Sequence, residues 1–169
     1  MFGALGIWLL VIMNKDLLSL LNKAYFFLKF RPRSEKEVRD YLYKKIKNKH
    51  WSRDDADKVL GELKEEDLID DKKFIDWFVR ARSTLKPKGQ RVLTRELKQK
   101  GIADELIEKY FSENTVDEEG LALKILEKRW PRYRNLDSRK RFEKACRFLM
   151  SRGFNYDLIK QTINKMGTN

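Results

Sequence analysis

The chain has 169 residues, 38% of them charged and 41% hydrophobic, and carries a formal net charge of +12. That length allows one compact domain or a short array of small modules, and the plentiful aromatics exclude a disordered polyelectrolyte. One cysteine and one histidine exclude an internal disulfide and a Cys/His metal centre.

Met1 to Met13 reads MFGALGIWLLVIM. It is apolar, but a bilayer span needs about 20 such residues. It also lacks the basic start and the small-residue cleavage site of a secretory signal. Three readings stay open: a weak membrane anchor, a packed extension, or sequence lying ahead of a second start. Met13-Asn14-Lys15 favours the last, and mass spectrometry of the native N-terminus decides among them.

Leu17, Leu21, Ala24, Tyr25 and Leu28 fall at helical spacing, and Pro32 ends that helix. Ser34 to Glu37 reads as a capping box, with Ser34 closing the helix start and Glu37 reaching back. The helix it opens carries Val38, Tyr41, Leu42 and Ile46. His50 beside Trp51 reads as loop. Ser52 to Asp55 is another cap, ahead of a stripe of Ala56, Val59, Leu60 and Leu63. Asp70 and Asp71 can cap the next helix, because a short carboxylate accepts from the first-turn N–H groups. Phe74, Ile75, Phe78 and Val79 share one face of that helix. After Pro87 a helix with Val92, Leu93 and Leu97 ends at Lys100-Gly101, a cationic last turn followed by glycine.

Leu106, Ile107 and Tyr110 mark a short helix. Thr115 to Glu118 reads as a third capping box. It opens a helix with Leu121, Ala122, Ile125 and Leu126, which Trp130-Pro131 stops. Asp137 or Ser138 starts a helix carrying Phe142, Ala145, Cys146 and Leu149, closed by Arg152-Gly153. Cys146 on that face is a small core residue. Leu158, Ile159 and Ile163 mark the last helix. No segment alternates for long enough to make a strand, so the expectation is nine helices and no sheet.

The helices group in threes. Val38, Leu42 and Lys45 align with Leu93, Leu97 and Lys100 and with Ala145, Leu149 and Arg152. Gly101-Ile102 and Gly153-Phe154 continue the last two, and Leu106-Ile107 and Leu158-Ile159 recur at equal distance. A unit recurring at roughly 50 residues predicts an all-α tandem array of three three-helix modules, elongated and curved. The modules span 14–67, 68–112 and 113–169, after the leader 1–13. Charge follows the repeat: residues 23–49, 80–100 and 124–165 are net +7, +7 and +9, while 53–76 and 102–119 are net −5 and −6. Solvated helix faces explain many of these charges singly. The alternation predicts a cationic stripe for a polyanion or an acidic protein surface.

With these motifs in view, the chain resembles RecX, the bacterial regulator of the RecA recombinase. The resemblance rests on Arg33-Ser34-x-x-Glu37-Val38 with Leu42, and on Leu68-Ile69-Asp70-Asp71-x-x-Phe74 with Arg82. It continues in Lys88-Gly89-x-x-Val92-Leu93-x-x-Glu96-Leu97-x-x-Lys100-Gly101-Ile102 and in Arg147-Phe148-Leu149-x-x-Arg152-Gly153-Phe154. It covers about residues 17 to 165. It implies tandem three-helix modules that bind along the RecA filament groove, suppress ATP hydrolysis and strand exchange, and affect filament growth or disassembly. It implies DNA binding for some members. The chain departs from the pattern in its apolar leader, in the glycine missing after Lys45, and in Lys86-Pro87-Lys88, where many members have a glycine-rich turn.

Paired carboxylates such as Asp70-Asp71 can hold a metal, but their place at a helix start makes them caps. No phosphate-binding glycine loop and no nucleophile–base set is legible, so no catalytic, metal or cofactor residue is expected. The candidate binding residues are cations in two sets. One is Arg80, Arg82, Lys86, Lys88, Arg91, Arg95 and Lys98; the other is Arg132, Arg134, Arg139, Lys140, Lys144, Arg147 and Arg152. Each can meet a carboxylate or a phosphate. Arg82 and Arg152 sit in the recurring motifs, where internal helix capping is an equal reading. Trp130 and Tyr133 can stack on bases, or simply pack. Two functions are expected. The resemblance to RecX implies a monomeric, cytoplasmic, non-enzymatic inhibitor of the RecA filament. The other is a module that binds single- or double-stranded DNA directly through a basic face.

Overall fold

The computed structural model describes residues 15–47 and 50–167; Met1–Met13, and with them the three readings of that stretch, lie outside the described residues. Among the described residues the chain forms nine α-helices and one 3-10 turn, and no strand. They are α1 Lys15–Leu28, α2 Glu35–Ile46, α3 Arg53–Glu65, α4 Asp71–Leu85, α5 Gln90–Gln99, α6 Asp104–Glu113, α7 Glu118–Arg129, the turn Trp130–Tyr133, α8 Ser138–Ser151 and α9 Tyr156–Gly167. None is long and apolar enough to cross a membrane.

The aligned apolar positions explain the repeat physically. Val38, Leu42, Leu93, Leu97, Ala145 and Leu149 are all fully buried. A leucine buried this way stabilises by roughly 1.5–3 kcal/mol, so the middle helix of each triplet is anchored at the same two turns. Gly101 and Gly153 both take left-handed backbone, with φ of 81° and 91°. Such a residue ends a helix by folding the chain back over its last carbonyls. The first triplet has Ile46 where the other two have glycine, and α2 runs through it.

Contacts divide the chain into two compact units. One takes the chain as far as Trp77 together with Lys100–Ala103, and the other takes Phe78–Gln99 and the chain from Asp104 onward. In the first, α1, α2 and α3 enclose Leu20, Leu21, Ala24, Leu42, Val59 and Leu63. Phe27 and Tyr41 stack at its edge, with ring centroids 4.1 Å apart, and Arg33 lies over Phe27. In the second, α7, the 3-10 turn, α8 and α9 enclose Ala122, Leu126, Tyr133, Leu149, Phe154 and Ile159.

Each unit contains the same joint. In the first, Ser34 at the start of α2 accepts from the Glu37 N–H at 3.2 Å and donates to the Lys100 carbonyl at 2.7 Å. In the second, the Gly89 N–H at the start of α5 donates to the Arg152 carbonyl at 2.9 Å. Lys100 and Arg152 are equivalent positions, each the residue before the left-handed glycine. An orphan C-terminal carbonyl is thus satisfied by a donor at a helix start, which is a head-to-tail meeting of opposite partial charges. The glycines make the approach possible. A Cβ on Gly89 would lie 2.6 Å from the Gly153 carbonyl oxygen, and one on Gly101 would lie 2.5 Å from the Lys36 Cβ.

Caps follow the local sequence, with three corrections. Ser52 and Asp55 form the reciprocal box. Asp70 accepts from the Lys72 and Lys73 N–H groups, and Asp137 from that of Lys140. Asp71, however, caps a different helix: it accepts from the Glu35 N–H at 2.9 Å. The box expected at Thr115–Glu118 is not the cap of α7. Asp117 serves instead, accepting from the Gly120 N–H at 2.8 Å. Nor does Glu37 reach back to its own helix start. Its carboxylate is taken by both terminal nitrogens of Arg31, at 3.0 and 2.9 Å, and by Lys100 at 2.7 Å. A forked guanidinium and an ammonium satisfy it better than one backbone N–H.

Candidate functional site

All fourteen candidate cations lie in the second unit. Arg82 and Lys88 turn inward. Both pair with Glu96, Arg82 through its Nε at 3.1 Å, and the Arg82 guanidinium also lies over the Phe78 ring. Their side chains are 34% and 19% exposed, so each is committed to holding α4, the connection and α5 together. Arg91, Arg95 and Lys98 are exposed at helical spacing on one side of α5, and Lys98 pairs with Asp104 at 2.8 Å. On α8, Arg139 pairs with Glu143 and Lys140 with Asp137, both at 3.4 Å. Pairs this exposed contribute little to stability. Lys144, Arg147 and Arg134 are exposed, as is Arg80 on α4.

Tyr133 does not offer a stacking surface: it is 7% exposed and packs in the unit's core. Trp130 is partly buried and packs against that core, with the Arg141 guanidinium 5.8 Å from its centroid. Arg141 in turn donates to the Arg134 and Leu136 carbonyls, closing the chain after the 3-10 turn. The base-stacking reading of this corner therefore fails for Tyr133, because the ring is needed for packing.

Lys86, Arg132 and Arg152 are brought together. They line one concavity of about 310 Å³ with Lys124, Lys128, Arg129, Thr84, Leu85, Pro87, Ile125 and Phe148. Among the described residues, six cations and no carboxylate line it. The ends of three helices meet there: Leu85 closes α4, Arg129 closes α7, and Arg152 follows the last turn of α8. Cations at helix C-termini have an ordinary explanation, since each terminus carries about −0.5 of an elementary charge. Three termini supply only about −1.5 against six positive charges, so roughly +4.5 is left over. Phe148 forms the floor, with the Arg129 and Arg152 guanidinium carbons 4.6 and 5.3 Å from its centroid. Tyr133 fixes Arg129 further by accepting from its Nε at 3.2 Å. The basin is thus a preoriented, over-charged cationic site. Sequence reasoning missed Lys124, Lys128 and Arg129. Their only signal was spacing on α7 just before a Pro-marked stop.

The chain also matches known proteins. Family profiles described as the first, second and third three-helix domains of RecX match residues 21–63, 70–110 and 117–163. "Regulatory protein RecX" of Streptococcus pyogenes serotype M5 (strain Manfredo) is 36% identical over 146 residues, which are 86% of this chain and 54% of that protein. Its namesake in Streptococcus uberis is 36% identical over 140 residues, 82% and 52% of the two chains. The chain therefore spans about half the length of the curated relatives it matches. Among solved structures, RecX from Lactobacillus salivarius superposes with a TM-score of 0.75 at 27% identity, covering 91% of this chain and 98% of that one. A second, "regulatory protein RecX", gives 0.71 at 25% identity over 88% and 74%. With all three of its helical domains matched in order, the chain belongs to the RecX family of regulatory proteins.

Proposed function

We propose that the chain docks on the RecA–DNA filament and inhibits its ATPase and strand exchange, modulating recombination and DNA repair in the cytoplasm. The observation that carries this reading is the in-order match to all three RecX domains. The mechanism is steric and electrostatic, with exposed arginines and lysines pairing with carboxylates of the filament. It needs no cofactor and no second copy of the chain. The test is RecA ATPase on single-stranded DNA, titrated with this protein. Hydrolysis should fall, and should do so well below one protein per RecA subunit if filament ends are the target. Unchanged ATPase and strand exchange across the titration reject the reading. Reversing charge at Arg91, Arg95 and Lys98 should weaken the complex while helix content stays the same.

The cationic basin favours a second reading, direct binding of DNA through a basic face. Phosphate neutralisation releases counterions, so affinity would fall steeply as salt rises. A salt-titrated gel shift without RecA separates the two readings.

A further inference from the structure

The basin at the ends of α4, α7 and α8 has a chemistry more specific than a basic face. We propose that it is a binding site for two or three linked phosphates, held by Lys86, Lys124, Lys128, Arg129, Arg132 and Arg152. Its charge is concentrated, no acid lines it among the described residues, and its two stacked arginines are already oriented by Phe148. A planar guanidinium presents paired N–H donors that match two phosphate oxygens, whereas the lysines act as mobile point charges. The ligand must be equally concentrated. Along an extended peptide, side chains on one face recur only about every 7 Å, so carboxylates reach the basin one at a time. Linked phosphates carry charge on consecutive groups, about one per 3.4 Å of helix axis for each strand of a duplex.

The equivalent place in the second triplet shows what the site depends on. Phe148 occupies the register position of Glu96. There the carboxylate pairs with Arg82 and Lys88 and offsets one of their two charges. Phenylalanine orients the cations near it but leaves their charge in place. Arg129 also matches Arg82, each lying twelve residues beyond its helix-capping aspartate, Asp117 and Asp70.

The phosphates can belong to a nucleic-acid backbone or to a free polyphosphate. The site deepens the direct-DNA reading and does not rest on the RecA reading, since RecA is absent from its test. Inorganic tripolyphosphate is titrated into the full chain by calorimetry at low salt. K86Q/K124Q/K128Q should bind at least about tenfold more weakly. K58Q/K72Q/K160Q removes the same charge at exposed positions outside the basin and should bind within about twofold of the parent. F148E should also lose binding, by placing a carboxylate beside Arg129 and Arg152, with far-UV circular dichroism checking its fold. Competition by a short oligothymidylate with tripolyphosphate identifies a nucleic-acid backbone as occupant. Tripolyphosphate binding without that competition supports the site for a free polyphosphate and ends the direct-DNA reading there. No binding by the parent protein, or equal loss in the two triple variants, overturns the site.

Discussion

Glu37 carries a stability prediction whose sign and size follow from its surroundings. Its side chain is 13% exposed, and Arg31 and Lys100 both pair with it. Burial alone would push its carboxyl up, but the hydrogen bonds and charges of Arg31 and Lys100 more than reverse that, to about 2 against an ordinary 4.5. That lowering corresponds to roughly 3 kcal/mol, and the partial exposure of both cations cuts this to about 1–2 kcal/mol. Because the folded-state value is the lower one, this stability is complete above about pH 5 and drains as pH falls towards 2. By about pH 3.5 some two-fifths of it is gone. Glu37→Gln removes the charge at every pH. The variant should be about 1–2 kcal/mol less stable than the parent at pH 7, a loss of about 2–7 °C in Tm for a chain of this size. The difference should narrow steadily on acidification. Urea unfolding followed by circular dichroism at a series of pH values measures it. A difference that is absent, or constant from pH 7 down to about 3.5, refutes the assignment of the depressed carboxyl to this joint.

The other predictions use the same assay at neutral pH. Gly153→Ala should cost more than about 2 kcal/mol, because φ is 91° and the new methyl would collide with Val92 Cγ2. Gly61→Ala, at a helical site with nothing within 4 Å of the new methyl, should stabilise by about 0.5–1 kcal/mol. Leu149→Ala empties a fully buried position and should cost about 2–5 kcal/mol. Asp117→Ala should cost about 1 kcal/mol and Thr115→Ala close to nothing, since the capping side chain that accepts from the Gly120 N–H is that of Asp117.

What could be read from the sequence is what burial and local geometry control. Val38, Leu93 and Ala145 announced their helices because a half-buried helix must place apolar side chains at its own period. Ser34, Ser52, Asp70 and Asp137 announced helix starts because a capping side chain needs only its own next turn. The resemblance to RecX rested on Ser34-x-x-Glu37, Asp70-Asp71 and Lys100-Gly101-Ile102, and the fold shows why they occur together. Ser34 and Glu37 both bond Lys100, and Asp71 bonds the Glu35 N–H. That joint could not be foreseen, because Glu37 and Lys100 are 63 residues apart and local rules offered Glu37 its own helix start instead. The candidate cations show the same divide. Their positions were plain, yet nothing local told Arg82, drawn to Glu96, from Arg152, which lines the basin.

The three triplets use one pair of positions in three ways. Tyr41, Glu96 and Phe148 share a register position on the middle helix, and each is met by a side chain of the preceding helix. In the first triplet Phe27 stacks on Tyr41, with an interplanar angle of 2°. In the second, Arg82 pairs with Glu96, and in the third, Arg129 lies over Phe148. All three arrangements brace a helix pair, so stability by itself does not choose among them. The pairs themselves differ in charge: Phe27 and Tyr41 bring none, though Arg33 lies over Phe27, the ion pair cancels what it brings, and the cation–π contact keeps it. A repeat that needs only bracing can therefore vary this pair without unfolding. The triplet that retains uncancelled arginine is the one whose helix ends gather four further cations. Charge of one sign held at short range raises the free energy of the folded protein, and an anion relieves it. The basin is thus a place where the fold tolerates repulsion that substitution of Phe148 by a carboxylate would lessen, as the phosphate site proposed above requires.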